Sequence, residues 1–250
     1  KKKLESFDYA TISDGRYYGG CMYFGAHTGR FSGSGGNLNL QNLPREEMFG
    51  VNLRHLISPK SDKRLIVVDL SQIEVRTLCW LANDHEMLEE IKNTEDIYEA
   101  FAIRFGMWDA QDGSIKQNPK LRHAVKGMVL GCGYGAGAER FAKMSGISKQ
   151  EAKKRVNKYR NKMGKVKSLW NSYNTDIESS HIASEQIPTP FVIDLPSGRS
   201  INYGVLQAWP EDGRLHFTSN IPRHGKNVTV RLWGGLVAEN ASQALARDIF

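Results

Sequence analysis

Apolar and polar positions follow two different periods along this chain. Residues 64–84, RLIVVDLSQIEVRTLCWLAND, open with the continuous apolar run Leu65–Val68. After Asp69 the run gives way to a helical period through Ile73, Val75, Leu78 and Leu81. The pattern predicts a buried strand feeding a helix. Residues 94–106 predict a second helix, acidic at its start and stopped by Gly106. A third begins near Pro119, with Asn118 as its cap. A fourth starts in the capping-box pattern Ser148–Glu151 and ends at Gly164. Residues 191–204, FVIDLPSGRSINYG, alternate around Pro and Gly like a hairpin, and LHFTSN and NVTVRLWGG predict further strands. A last helix places Leu236, Val237, Ala241, Ala244, Leu245 and Ile249 on one side. This order predicts a sheet-based lobe interrupted by a mostly helical lobe of about 100 residues.

The third helix works against itself. Gly127, Gly131, Gly133, Gly135 and Gly137 crowd its second half, and a glycine costs a helix interior about 1 kcal/mol relative to Ala. With ~100° of turn per residue, Arg122, Lys126, Val129 and Gly133 form one stripe, with Leu130 and Tyr134 to its side. Two cations, then bare backbone beside a tyrosine, suit a ligand with a phosphate tail and a flat head. A solvated basic face with glycines for tight helix packing explains the same letters.

Charge changes the picture modestly. The 250 residues carry a net +7, which favours a polyanionic partner. Ten Lys or Arg and one acid lie between Lys143 and Lys167, suiting salt-sensitive phosphate contacts. Cys21, Cys79 and Cys132 are too few and scattered for a disulfide framework, and the seven histidines show no zinc-ligand spacing. GCGYGAG has no preceding strand and no Gly-Lys-Ser/Thr, so it is not a glycine-rich phosphate loop. With neither a signal peptide nor an apolar run long enough to span a bilayer, a soluble intracellular chain is expected.

Three places carry oxygen or amide chemistry. Asp69, at the end of the apolar run, and Glu74, on the helix after it, are hard donors of the kind Mg²⁺ takes alongside phosphate oxygens. Asp69 as a plain helix cap is the alternative. The Gly/Ser/Asn-rich stretch 28–44 supplies Arg30, Asn39, Gln41 and Asn42, donors that reach minor-groove acceptors.

Taken in order, these stretches resemble the polymerase core of family A DNA polymerases, the DNA polymerase I class. VVDLSQIEVR is similar to that family's first metal motif, and RHAVKGMVLGCGYG to its fingers helix of Arg, three residues, Lys, seven residues, Tyr-Gly. TGRFS with NLQNLP resembles the segment along the primer–template minor groove, and ENASQALARD the palm helix whose Gln also touches that groove. The resemblance implies an α/β (α+β) right-hand fold, a palm with antiparallel sheet plus mostly helical fingers. Residues 1–80 would be palm with the minor-groove loop 28–44, residues 81–182 fingers, and 183–250 the second part of the palm.

The resemblance also implies roles. Asp69 and the Leu70 backbone carbonyl would hold Mg²⁺, two ions serving the complete enzyme. Arg122 and Lys126 would grip the incoming dNTP, Lys126 also protonating departing pyrophosphate. Leu130 and Tyr134 would bracket the new base pair, and the glycines would leave it room. Glu74 would exclude a ribose 2′-OH, and Gln72 and Tyr98 would line the substrate site. Arg30, Asn39, Gln41, Asn42 and Gln243 would contact primer–template DNA, and the basic helices would lie near single-stranded template.

Three residues depart from the family pattern. Leu130 stands where Phe or Tyr is usual, Tyr98 where a phosphate-binding His is common, and Leu70 where Tyr is usual. They suggest a phage or prophage branch acting in a bacterial or phage-infected cytoplasm. The second catalytic aspartate, in a His-Asp-Glu turn, is not in the sequence; NDHE at 83–86 has its letters but not its order. A monomeric palm-and-fingers fragment that extends primers poorly is therefore expected. A catalytically silent primer–template binding module and a single-subunit RNA polymerase are the alternatives, Glu74 arguing against the latter.

Overall fold

The computed structural model describes residues 5, 15–17, 20–34, 39–44, 46, 47, 49–223 and 226–250. These form two compact units, one from 1–71 with 222–226 and the other from 72–221 with 227–250.

In the first unit, β1 (Gly20–Met22) and β2 (Ser32–Ser34) pair antiparallel, Met22 opposite Ser32 and Gly20 opposite Ser34. A short 3-10 turn, Leu40–Asn42, follows. Leu43 and Leu53 are buried together, with Leu40 and Tyr17 packed against them. The strand expected at 64–69 is not formed. Among the described residues nothing pairs with this segment; Ile66 and Val67 are each 83% exposed, and Leu65 and Val68 are exposed beside them. A strand is held by partners for its N–H and C=O groups and by a surface under its side chains. Here it has neither, so β propensity alone does not fix it. Asp69 accordingly sits in exposed irregular backbone.

The second unit begins with α1 (Ile73–Leu81), α2 (His85–Lys92) and α3 (Ile97–Arg104). The second predicted helix is shorter than its letters. Thr94 Oγ1 donates back to the Glu90 carbonyl at 3.2 Å, and Asp96 caps the new helix through the Tyr98 N–H. Asp84, from the NDHE stretch, is buried; it caps α2 and pairs with Arg104 at 3.1 Å. Its role is structural.

The glycine-laden helix, α4, runs Pro119–Cys132, with the Asn118 side chain accepting from the Leu121 N–H at 3.1 Å. After it come α5 (Ala138–Ser145), α6 (Lys149–Lys162) and α7 (Gly164–Ser184). Only half of the capping box forms on α6. Ser148 Oγ accepts from the Glu151 N–H, while the Glu151 carboxylate turns forward to Arg155 at 2.8 Å. One apolar core, including Phe101, Phe105, Met128, Phe141 and Tyr159, joins these helices.

The C-terminal part supplies the predicted strands. β3 (Val192–Asp194) and β4 (Ser200–Asn202) form the expected hairpin. β5 (Gln207–Glu211), β6 (Arg214–Arg223) and β7 (Lys226–Leu232) make a three-stranded sheet in that order, with Trp209 opposite His216 where β5 and β6 run antiparallel. A second core places Phe191, Tyr203 and Phe217 against Val237, Ala241 and Ala244 of α8 (Gly234–Ile249). Ile249, expected on the packed side, is exposed. Thr77 Oγ1 bonds the Ser242 carbonyl at 3.0 Å and ties α1 to α8.

Candidate active site and nucleic-acid interface

The cations of α4 lie on its open side. Arg122 and Lys126 are half-buried, Leu130 is 42% exposed, and Val129 and Gly133 are buried. The outward stripe is therefore Arg122, Lys126 and Leu130, not the predicted stripe through Val129 and Gly133. An inward valine belongs to the helix core, and the Gly133 carbonyl accepts from Trp170 Nε1 at 3.0 Å. Lys126 has no ion-pair partner among the described residues. Arg122 is held: its Nε donates to Asp96 Oδ2 at 2.6 Å and its guanidinium lies 5.1 Å from the centre of the Tyr98 ring. Burial pushes the Tyr98 phenol above its usual pKa, against the pull of Arg122.

The glycines of α4 also have structural reasons. A Cβ at Gly131 would meet the buried Phe141 ring at 2.9 Å, so α5 can approach only a helix with no side chain there. A Cβ at Gly127 would have only Ser145 Oγ nearby, at 3.9 Å. Packing explains the first glycine and leaves the second unexplained.

At the far end of α4, Tyr134 shares its surroundings with two carboxylates. Burial raises its phenol well above the usual value, and Glu74 and then Glu239 raise it further. Glu239 is itself raised, by burial and by Glu74. The predicted residues Glu74 and Tyr134 are thus electrostatic neighbours. Gln243 Nε2 approaches Glu239 Oε1 at 3.5 Å from one turn along α8. Sequence reasoning missed Glu239; its i, i+4 spacing to Gln243 was the available signal. Gln72, just before α1, adopts a left-handed backbone, φ +47°. Beyond Tyr134, Arg160 and Lys167 line a cavity of 230 Å³ with Trp170 and Trp233, Trp170 itself being buried and stacked on Tyr159.

In the other unit, Asn39 Oδ1 accepts from the Gln41 N–H at 2.9 Å, and Gln41 Nε2 donates to the Phe31 carbonyl at 3.3 Å. A Cβ at Gly33 would fall 2.3 Å from the Asn39 amide, so that glycine admits the loop against the hairpin. Asn39 serves the loop's own shape. Arg30, Gln41 and Asn42 are exposed or nearly so. Arg54, which the sequence did not single out, bonds the Leu43 and Pro44 carbonyls at 3.1 and 3.2 Å and pins the loop's end. Asp69 and Leu70 also lie in this unit. Among the described residues no three His, Cys, Asp or Glu side chains gather as a metal cluster.

The family model of DNA polymerase family A matches residues 4–187. The chain belongs to DNA polymerase family A. DNA polymerase I of Synechocystis is 35% identical over 133 residues, 53% of this chain and 13% of that protein. The DNA polymerase of Bacillus phage SP02 is 24% identical across 99% of this chain and 45% of its own length. The POL domain of M. smegmatis Pol1, solved with DNA primer-template and dNTP, aligns with a TM-score of 0.60 and 23% identity, covering 97% of this chain and 36% of that one. This last likeness is one of fold: small antiparallel sheets beside a mostly helical region, the palm-and-fingers plan. The family A chain described here thus spans less than half the length of these relatives. Among its described residues no helix is long and apolar enough to cross a membrane.

Proposed function

We propose that this chain supplies the nucleotide-binding fingers and part of the palm for template-directed DNA synthesis, with primer–template DNA and dNTPs as partners. The observation that carries the proposal is the outward stripe of half-buried Arg122 and Lys126 with exposed Leu130, in a chain of DNA polymerase family A. Two cations one turn apart grip a triphosphate, while Leu130 and Tyr134 present apolar surface to the base pair. Burial keeps Tyr134 a neutral phenol. Lys126, with no ion-pair partner among the described residues, is free to bind phosphate.

In the reaction the primer 3′ hydroxyl loses its proton to solvent, its oxygen bonds the α-phosphorus, the bond to the α–β bridging oxygen breaks, and pyrophosphate departs. Lys126 donates a proton to that leaving group as it gains charge. Glu74, beside Tyr134, occupies the space of a ribose 2′-OH and disfavours ribonucleotides. Gln72 lines the same substrate site. Arg30, Gln41, Asn42 and Gln243 contact the minor groove and test base-pair shape, the first three from a loop shaped by Asn39. The cavity under Arg160 and Lys167 receives single-stranded template.

The donor set at Asp69 fits Mg²⁺. An exposed carboxylate and the adjoining Leu70 carbonyl are hard oxygen donors of the kind that would hold it. A Mg²⁺ ion held by Asp69 and Leu70 would supply a lowered pKa for the attacking hydroxyl and charge neutralisation for the phosphates.

The test compares dATP and ATP in Mg²⁺-dependent primer extension with wild type, Asp69→Ala and Lys126→Ala, and measures dNTP binding by calorimetry. Weak, deoxynucleotide-selective extension that is lost in Asp69→Ala, with dNTP binding weakened in Lys126→Ala, is expected. Extension indifferent to both substitutions overturns the assignment. Salt-sensitive DNA binding without dNTP binding favours the silent binding module.

A further inference from the structure

Asp96 joins two structures at once. One carboxylate oxygen, Oδ1, accepts from the Tyr98 N–H at 3.0 Å and starts α3. The other, Oδ2, accepts from Arg122 Nε on α4 at 2.6 Å. The Asp96 side chain is only 4% exposed, while that of Arg122 is 33% exposed. Tyr98, 3% exposed, closes the arrangement from below, its ring 5.1 Å from the guanidinium carbon.

A guanidinium carries five N–H donors in one rigid plane. With Nε committed to Asp96, the four donors on Nη1 and Nη2 have no partner among the described residues. Those are the donors that form two parallel bonds to phosphate oxygens. The edge is fixed by a carboxylate, the face by an aromatic ring and the stem by the helix. The usual cost of immobilising a long side chain on binding is therefore met before ligand arrives.

We propose that Asp96 and Tyr98 are positioning residues that pre-orient Arg122 for two-bond recognition of a nucleotide's phosphate tail. This rests on the nucleotide-binding reading above. Tyr98 then acts through Arg122: its buried ring is a platform and makes no phosphate contact of its own. Both carboxylate oxygens are engaged in these bonds and the side chain is buried, so Asp96 itself offers the ligand no contact.

The substitutions that isolate the effect are conservative. Asp96→Asn keeps the helix cap, since Asn and Asp cap equally well, but turns an amide donor toward Arg122 Nε. Tyr98→Phe keeps the platform and Tyr98→Leu removes it. The probes are tripolyphosphate and dATP, titrated by calorimetry, with circular dichroism confirming the fold. The exchange rate of the Arg122 Nε–H is followed by NMR without ligand.

Asp96→Asn is expected to weaken tripolyphosphate and dATP by the same factor, about three- to tenfold, and to speed Nε–H exchange. Tyr98→Leu weakens both probes, whereas Tyr98→Phe stays within about twofold. In an Arg122→Ala background, Asp96→Asn adds nothing. Wild-type affinity in Asp96→Asn, additive losses in the double variant, or an Nε–H that exchanges equally fast in wild type and Asp96→Asn overturns the proposal. If Asp96→Asn fails to fold, the Tyr98 pair and the wild-type exchange rate still decide. Wild-type protein that binds neither probe refutes the nucleotide reading itself, and the exchange measurement then judges the clamp separately.

Discussion

Replacing Gly127 and Gly131 by alanine, one at a time, separates the two explanations for a glycine-rich α4. In both variants the helix gains about 1 kcal/mol of intrinsic propensity. At Gly127 nothing opposes the gain, because the new methyl meets only Ser145 Oγ at 3.9 Å, an ordinary contact. At Gly131 the methyl lands 2.9 Å from Phe141, a side chain 1% exposed within the helical core. Forcing a methyl into a filled core costs about 1–3 kcal/mol. The expected outcomes are stabilisation by about 1 kcal/mol for Gly127→Ala, and between no change and about 2 kcal/mol of destabilisation for Gly131→Ala. For a chain of this size each kcal/mol moves the melting temperature by about 2–4 °C. Urea unfolding followed by circular dichroism reads the difference as a shift in midpoint at constant slope. Stabilisation of Gly131→Ala by the full helix increment, or loss of stability in Gly127→Ala, refutes the packing account. A stabilised Gly127→Ala that has lost dNTP affinity identifies Gly127 as the glycine kept open for ligand.

Three further outcomes follow from the site and its supports. Lys126→Ala lowers single-turnover extension by about 10²–10⁴, the range for a general acid, measured by rapid quench; an unchanged rate removes Lys126 from proton transfer. Glu74→Ala raises ATP incorporation relative to dATP by about tenfold or more, a steric gate's worth of roughly 1–3 kcal/mol, and an unchanged ratio removes Glu74 as that gate. Burial works against ionised Asp248, but hydrogen bonds from Ser197 at 2.6 Å and Arg199 at 3.0 Å win and hold its carboxyl below the usual value. Its contribution to stability is therefore complete above the unfolded-state value, about 4, and is lost as pH falls through the lower folded value. Asp248→Asn should be less stable at pH 7 by about 1–2 kcal/mol, having weakened charge-assisted hydrogen bonds that solvent partly screens. It should also show a shallower decline between pH 4 and lower values in urea titrations, and a decline as steep as wild type contradicts the assignment.

What could be read from the letters depended on how local the cause was. Pro119 after Asn118, Ser148 before Lys149 and the alternation of FVIDLPSGRSINYG each act within a few residues, and each element formed. The apolar run at 64–69 reads as a strand because Ile and Val favour extended backbone, yet a strand also needs neighbours that its own residues cannot encode. Likewise the helical period could place Arg122 beside Lys126, but not reveal that Asp96, 26 residues earlier, holds the arginine. Val129 and Gly133 fell on the predicted stripe by geometry, and packing turned them inward. Glu239 and Arg54 are ordinary letters, meaningful only because folding brings one close to Tyr134 and the other to the carbonyls of Leu43 and Pro44.

The run Leu65–Val68 carries one more consequence. An irregular, largely β-branched segment with exposed side chains and no strand partner among the described residues is a template for another strand. Arg64 and Asp69 bracket it with charge, the kind of flanking residue that slows edge-to-edge growth. Self-association of this protein should therefore begin at those four residues. It should yield to a lysine in place of Ile66 or Val67. The purity and concentration at which the chain can be handled are set less by its helical core than by this short, uncovered ribbon.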